Sequence, residues 1–277
     1  MTTAGLPEER APRPAEARLK LSIVIPVYNE ERLILGVLRR VAAVQIDKEL
    51  VVVDDCSRDG TVQVLQRIEA EPTLVTSADP FGRTQVRIFY QPVNRGKGAA
   101  LRRGFAEARG DAVVVQDADL EYDPHELKRL FAHIERGEAD VVYGSRFARG
   151  RAGFPFWHTT ANRMLTGFSN LLTGLRVTDM ETCYKAIRTE LVRELPLRED
   201  RFGFEPEVTA LLGHLSRRRA IRFVEEPISY RPRSVADGKK IRLKDAFRAV
   251  YCILRYGLLP PSWPKALSAR GEVHAAE

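Results

Sequence analysis

Val113-Val114-Val115-Gln116-Asp117-Ala118-Asp119-Leu120-Glu121 decides the fold. Three β-branched valines in a row read as a short buried strand. The chain leaves that strand through two aspartates one residue apart. In an open α/β sheet, ligands bind beyond the carboxyl ends of the strands, so Asp117 and Asp119 emerge where a ligand would sit. Two carboxylates this close repel each other unless a cation lies between them and a polyphosphate. A solvated acidic loop is the plainer reading of such a pair in isolation. The flanking units weigh against it.

Upstream, residues 19–26 form a first strand that stops at Pro26-Val27-Tyr28-Asn29-Glu30-Glu31. Asn29 is the expected cap of a helix running through Leu38 and Val41, with acids in its first turn. Residues 49–55 form a second strand that closes on Asp54 and Asp55. Strand geometry sends these two to opposite sides, one toward a ligand and the other toward a loop. A polar turn leads into a helix from Thr61 with Val64, Leu65 and Ile68 on one face. Residues 70–84, holding Pro72, Pro80 and Gly82, read as an irregular surface insertion. A third strand covers 86–90, and Asn94-Arg95-Gly96-Lys97-Gly98 opens a helix over 99–108. The alternation is the βαβ signature.

Downstream, Asp123 caps a helix with Pro124 at its first position, ending near Ile134. A strand at 140–144 empties into the basic stretch Ser145-Arg146-Phe147-Ala148-Arg149-Gly150-Arg151. The pattern then predicts a helix over 160–172, a strand over 183–187, helices over 189–195 and 206–215, and a strand over 221–228. A final amphipathic helix carries Leu243, Phe247, Val250, Tyr251 and Leu254.

At 277 residues and 44% apolar content, the chain can bury one large α/β core. The net charge of +7 points to an anionic partner such as a phosphate-bearing substrate or a lipid surface. Aromatics make up only 8% and do not interleave with the basic residues, which speaks against nucleic acid. Cys56, Cys183 and Cys252 are odd in number and widely spaced, so neither a disulfide framework nor a zinc site follows, and a reducing, cytoplasmic setting is expected. No signal-peptide pattern and no run of about 18 apolar residues is legible. The amphipathic segments 160–172 and 241–256 bury their apolar faces in the core in the default reading; with Phe154, Phe156 and Trp157 as an anchor they could instead bring the protein peripherally onto the cytoplasmic face of a membrane. There is no dinucleotide fingerprint after the first strand and no GxxxxGKS/T loop.

Acids recur at strand ends: Glu30, Asp54 with Asp55, Asp117 with Asp119, and later Asp179 with Glu181. Such a convergence suits a nucleotide site with a metal, where a cation bridges carboxylate and diphosphate. Arg146 follows a strand directly, and Arg163 lies nearby in sequence; a guanidinium presents several donors to phosphate. Lys97, at a helix start that is already positive, reaches for a ligand or an acid.

These stretches resemble family 2 glycosyltransferases. The resemblance rests on residues 22–31, 53–61 and 94–100, on 117–121, and on Gly144-Ser145-Arg146-Phe147. Asp179-Met180-Glu181-Thr182-Cys183-Tyr184-Lys185, Phe202-Gly203-Phe204-Glu205-Pro206-Glu207 and residues 227–233 and 238–241 look most like the dolichyl- or polyprenyl-phosphate mannose or glucose synthase group. The resemblance implies a GT-A fold, with a Rossmann-like, mostly parallel sheet flanked by helices. A disordered arm (1–18), a nucleotide-sugar half (19–144), an acceptor-side half (145–259) and a flexible tail (260–277) would make up the chain.

By the same resemblance, Pro26, Tyr28, Glu30 and Asp55 line the nucleoside pocket, with Lys97 and Asp117 near the nucleotide. Asp117, Asp119 and Glu121 hold Mg2+ or Mn2+, Glu121 standing where the lipid-phosphate synthases often carry glutamine. Arg146 and Arg163 grip phosphates. Asp179 or Glu181 is the base if the acceptor is a hydroxyl. The implied activity is inverting hexose transfer from a UDP-glucose- or GDP-mannose-type donor to a polyprenyl phosphate. The alternative is a soluble transferase acting on a hydroxyl acceptor or polysaccharide precursor. A nucleotide-sugar binder that has lost catalysis is a further reading.

Overall fold

The computed structural model describes residues 20–148, 156–232, 243–259 and 263. The arm at 1–18, most of the basic loop after Phe147, Phe154 and most of the tail lie outside them, as do the side chains of Phe156 and Trp157.

Among the described residues, seven strands form one sheet: β1 (Leu21–Val27), β2 (Lys48–Asp54), β3 (Gln85–Tyr90), β4 (Ala112–Val115), β5 (Val141–Ser145), β6 (Lys185–Arg188) and β7 (Phe223–Pro227). Their order is β3-β2-β1-β4-β6-β5-β7. All pairings are parallel except those of β6, which runs antiparallel to both β4 and β5. The sheet is therefore mostly parallel and flanked by helices, as expected. β1, β2 and β4 are buried almost throughout, because helices cover both faces of a parallel sheet.

The helices are α1 (Ile34–Ala42), α2 (Thr61–Ala70), α3 (Thr73–Thr76), α4 (Lys97–Glu107), α5 (Leu127–Glu135), α6 (Phe156–Thr173), α7 (Thr189–Glu194), α8 (Phe204–Ser216) and α9 (Leu243–Leu258). A 3-10 turn at Pro124–Glu126 precedes α5. Asp123 caps it as expected, its Oδ1 accepting from the His125 N–H at 3.1 Å.

Two local expectations fail. Asn29 does not cap α1, which begins at Ile34 after a turn in which the Leu33 and Ile34 N–H groups donate to the Glu30 carbonyl. Asn29 adopts φ 55° and accepts from the Arg58 N–H at 2.8 Å, tying the loop after β1 to the loop after β2. Residues 70–84 are not an irregular surface insertion either. They contain α3, whose Val75 is fully buried, and a tight knot around Asp79. The Asp79 carboxylate accepts from the N–H groups of Phe81, Arg83 and Thr84 and from the Thr84 hydroxyl, and it sits 3.9 Å from the buried Lys48 ammonium. Burial resists that negative charge, but the converging donors outweigh it and draw the carboxyl down to about 2.

The chain crosses β1, β2 and β3 in one direction and returns on the other side of β1 as β4. Such a topological switch opens a crevice at the carboxyl ends of the strands. No helix among the described residues is long and apolar enough to cross a membrane.

Candidate active site

A cavity of about 1120 Å³ opens at that switch point. Pro26, Tyr28 and Glu30 line it from β1, Asp55 from β2, Asp117, Asp119 and Glu121 from β4, and Arg146 from β5. Lys97 and Glu181 complete the anticipated residues on its wall. Asp179 and Arg163 do not line it. Asp179 is fully buried behind Arg146, and Arg163 is exposed on α6 with its guanidinium 5.9 Å from the Phe147 ring.

Asp55 is committed to the loop that follows β3. Its Oδ1 accepts from Gln91 Nε2 and the Arg95 N–H, and its Oδ2 accepts from the Gly96 N–H at 2.7 Å. Asp54 points elsewhere and accepts from the Ser57 N–H at 3.0 Å, so both acids of the pair orient loops. Gly96, at φ 105°, immediately precedes α4. A Cβ on Gly98 would lie 2.2 Å from the Glu199 carbonyl oxygen, so the loop and the 199–201 segment meet backbone to backbone.

Lys97, the first residue of α4, reaches Asp117 Oδ1 at 2.9 Å and Glu205 Oε1 at 3.0 Å. Burial works against its charge, but Asp117 and then Glu205 outweigh burial and hold the ammonium well above its ordinary value. Asp119 Oδ1 accepts from the Glu121 N–H at 3.1 Å, across Leu120 at φ 59°. Tyr230 donates to Glu121 Oε2.

Arg146 grips Asp179 along one edge, Nε to Oδ2 at 2.6 Å and Nη2 to Oδ1 at 2.8 Å. Its guanidinium also lies 5.2 Å from the Tyr230 ring. Burial opposes that charge too; Tyr122 and Asp179 override it and keep the pKa well above the usual arginine value. Glu181 is different. Burial, reinforced by Glu205, pushes its carboxyl up to about 7 against Lys185 and Arg146, and its Oε1 has no hydrogen-bond partner among the described residues. Burial lowers the pKa of the neighbouring Lys185, whose ammonium lies 5.0 Å from the Tyr143 ring.

Asp117 and Asp119 supply hard oxygen donors, the ligand type that Mg2+ and Mn2+ take. The described residues contain no group of three His, Cys, Asp or Glu that would hold a metal on its own. The donor set therefore fits a cation that completes its shell with diphosphate oxygens and water.

Local sequence patterns do not mark Tyr122, Glu205, Tyr230 and Arg248 as site residues, yet all four line the cavity. Glu205 and Tyr230 lie inside stretches that carried the family resemblance. Arg248 sits on an amphipathic helix and has no local signature.

The family model for glycosyl transferase family 2 matches residues 22–196. The undecaprenyl-phosphate 4-deoxy-4-formamido-L-arabinose transferase of Pseudomonas fluorescens SBW25 is 33% identical over 190 residues, covering 67% of this chain and 52% of that protein. The dolichol-phosphate mannosyltransferase of Pyrococcus furiosus is 27% identical over 247 residues, covering 86% of this chain and 64% of the relative. The chain thus spans about half the length of the first of these relatives and under two thirds of the second. Among solved structures, glucosyl-3-phosphoglycerate synthase from Mycobacterium tuberculosis, in complex with Mn2+, UDP and glucosyl-3-phosphoglycerate, superposes with a TM-score of 0.60 at 22% identity. That match covers 88% of this chain and 82% of the other and shows a shared fold.

Proposed function

The chain belongs to glycosyl transferase family 2, and on that premise we propose that it moves a hexose from a nucleotide diphosphate sugar, of the UDP-glucose or GDP-mannose type, to an acceptor hydroxyl with inversion at the anomeric carbon. Glu181 carries the reading. A carboxyl on the cavity wall whose pKa burial raises to about 7 is matched to accepting a proton at neutral pH. Asp179, the other anticipated base, is spent on Arg146.

In the proposed reaction the acceptor oxygen forms a bond to the anomeric carbon as its proton passes to Glu181. The bond from that carbon to the diphosphate breaks, and its electron pair leaves with the diphosphate. Asp117 and Asp119 would hold Mg2+ or Mn2+, which when bound neutralises charge on the departing diphosphate. Pro26, Tyr28, Glu30 and Asp55 form the nucleoside wall, with Asp55 acting by shaping the 91–96 loop. Lys97 fixes Asp117 against Glu205. Arg146, oriented by Asp179, would place its guanidinium charge toward phosphate, and Arg163 on α6 approaches the same Phe147 ring as Arg146.

A polyprenyl phosphate acceptor is the second reading, and one surface favours it. α6 and α9 expose Met164, Leu171, Phe247 and Leu258 at 70%, 78%, 71% and 59%. That apolar face would suit peripheral contact with a membrane. The two curated relatives carry undecaprenyl phosphate and dolichol phosphate in their names.

The test is a matrix of UDP-glucose and GDP-mannose, with Mg2+ or Mn2+, against hydroxyl acceptors and a short polyprenyl phosphate, read by mass spectrometry. The expected product is a glycosylated hydroxyl, lost in Asp119→Ala. A sugar–phosphate–lipid formed equally well by Glu181→Gln would replace the hydroxyl reading with the second. Donor binding with no transfer to any acceptor would leave a nucleotide-sugar binder.

A further inference from the structure

Resting on the transferase reading, we infer that Arg248 forms a subsite for a phosphate monoester carried by the acceptor. The cations of the cavity are not equivalent. Lys97, held between two carboxylates, and Arg146, paired with a fully buried aspartate, have side chains only 19% and 9% exposed. Arg248 enters from α9 against the 199–201 segment of the cavity wall and is half exposed.

Its Nε and Nη2 donate to Glu199, at 3.2 Å to Oε2 and at 2.9 and 2.7 Å to Oε1 and Oε2. Glu199 is nearly buried and also accepts from the Tyr256 hydroxyl at 2.8 Å. All these bonds use one edge of the guanidinium. The Nη1 edge makes no hydrogen bond among the described residues, and a planar fork held along one edge offers the other for paired donation to a phosphate.

The local charge supports an anion despite the neighbouring carboxylate. Arg95 and Arg201 line this end of the cavity, and Arg102 lies behind them, donating to Asp200. Three guanidiniums, those of Arg248, Arg95 and Arg102, thus meet Glu199 and Asp200, with Glu207 buried beneath and engaged by the N–H groups of Arg198 and Glu199. Beside Arg248, the same helix exposes Phe247 and Tyr251 at 71% and 51%. A phosphate on a small polar acceptor and a phosphate on an apolar tail would both fit this border, so the shared chemistry is the monoester itself.

Titration calorimetry on the full chain, with UDP and Mn2+ present, tests the subsite. The probes are farnesyl monophosphate, glycerol 3-phosphate and, as a neutral control, farnesol. At least one phosphate probe should bind saturably, and Arg248→Gln should weaken it by about tenfold while UDP affinity stays within about twofold. Preference for farnesyl monophosphate identifies a lipid source, and preference for glycerol 3-phosphate a soluble one. Glu199→Gln keeps the arginine charge but loosens its orientation, and should weaken the same probe by a smaller factor. If circular dichroism shows Arg248→Gln unfolded, Arg248→Lys replaces it: a point charge without the fork should bind the probe several-fold more weakly than wild type. Equal affinity in the folded variant, or no phosphate binding while UDP still binds, overturns the subsite and leaves the transferase reading standing. Failure of the wild type to bind UDP or GDP with Mn2+ strikes the transferase reading itself.

Discussion

The two ends of the cavity are built on opposite principles. At the strand ends, carboxylates outnumber cations: Asp117, Asp119, Glu121, Glu181 and Glu205 gather around Lys97 and Arg146. At the end formed by residues 199–201 and α9, arginines outnumber acids. The acidic end suits a cation arriving with a diphosphate; the basic end suits an anion that brings no cation. The ends also differ in construction. The acidic end stands on buried strands and is held by ion pairs on its floor, whereas the basic end depends on side chains bridging one loop and one helix. A ligand charge reversed between the two ends would be repelled at either.

The sharpest way to break this contrast is at Asp119. Asp119→Ala removes an oxygen donor from the acidic end and should cost transfer about 10³-fold in kcat, the scale of losing a preorganised electrostatic contact. Phosphate binding at the basic end should stay within twofold. Steady-state kinetics and calorimetry on one preparation measure both. Next comes Asp179→Asn. It leaves Arg146 with its charge but without its fully buried partner, and breaking such a pair costs about 3 kcal/mol. At roughly 2–4 °C per kcal/mol for a domain of this size, the melting temperature should fall by about 6–12 °C. A fall of about a degree would mean that Arg146 finds its compensation elsewhere.

Glu181 sharpens the comparison through pH. Its carboxyl is raised from 4.5 to about 7, so hydroxyl transfer should climb as pH rises through about 7 and then level off. Glu181→Gln should lower the plateau by about 10²-fold and abolish the limb. Stability moves the other way. Between 4.5 and 7 the folded state holds a proton that the unfolded chain has released, so this group's contribution falls as pH rises across that window. The variant should flatten that slope in melts recorded from pH 4.5 to 7.5, whatever the acceptor proves to be.

The acidic end was legible in the sequence because its chemistry is local. Asp54, Asp55, Asp117 and Asp119 each follow a short valine-rich run that reads as a buried strand, and a parallel sheet carries all such ends to one edge. The antiparallel insertion of β6 between β4 and β5 was not legible, because a short apolar segment encodes no direction. In sequence Asn29 reads as a cap, because a cap and a loop-to-loop clasp use the same side-chain acceptor; only the partner, Arg58, distinguishes them. The basic end was invisible for a related reason. Glu199 and Arg248 lie 49 positions apart, on a loop and on a helix whose dominant pattern is its apolar stripe, and no local period reports their meeting.

The smallest expected effect tests whether the two ends are separable at all. Tyr256→Phe removes one hydroxyl, 2.8 Å from Glu199 Oε1, and leaves the ring in place. Losing a hydrogen bond to a carboxylate at a half-buried site costs about 1 kcal/mol, since solvent replaces part of it. The melting temperature should therefore drop by about 2–4 °C. Glu199 keeps Arg248 along its edge, so the guanidinium stays but its carboxylate partner gains freedom to turn. Phosphate-probe affinity should weaken by about twofold to threefold, an effect worth less than the hydrogen bond itself. UDP affinity should not move, because the Asp55-held loop and Lys97 anchor the acidic end through contacts that do not involve Glu199's carboxylate. The backbone contact of Gly98 with Glu199 is the one route by which the change could travel. If Tyr256→Phe shifts UDP binding as much as phosphate binding, that route is open, and the cavity behaves as one site rather than two.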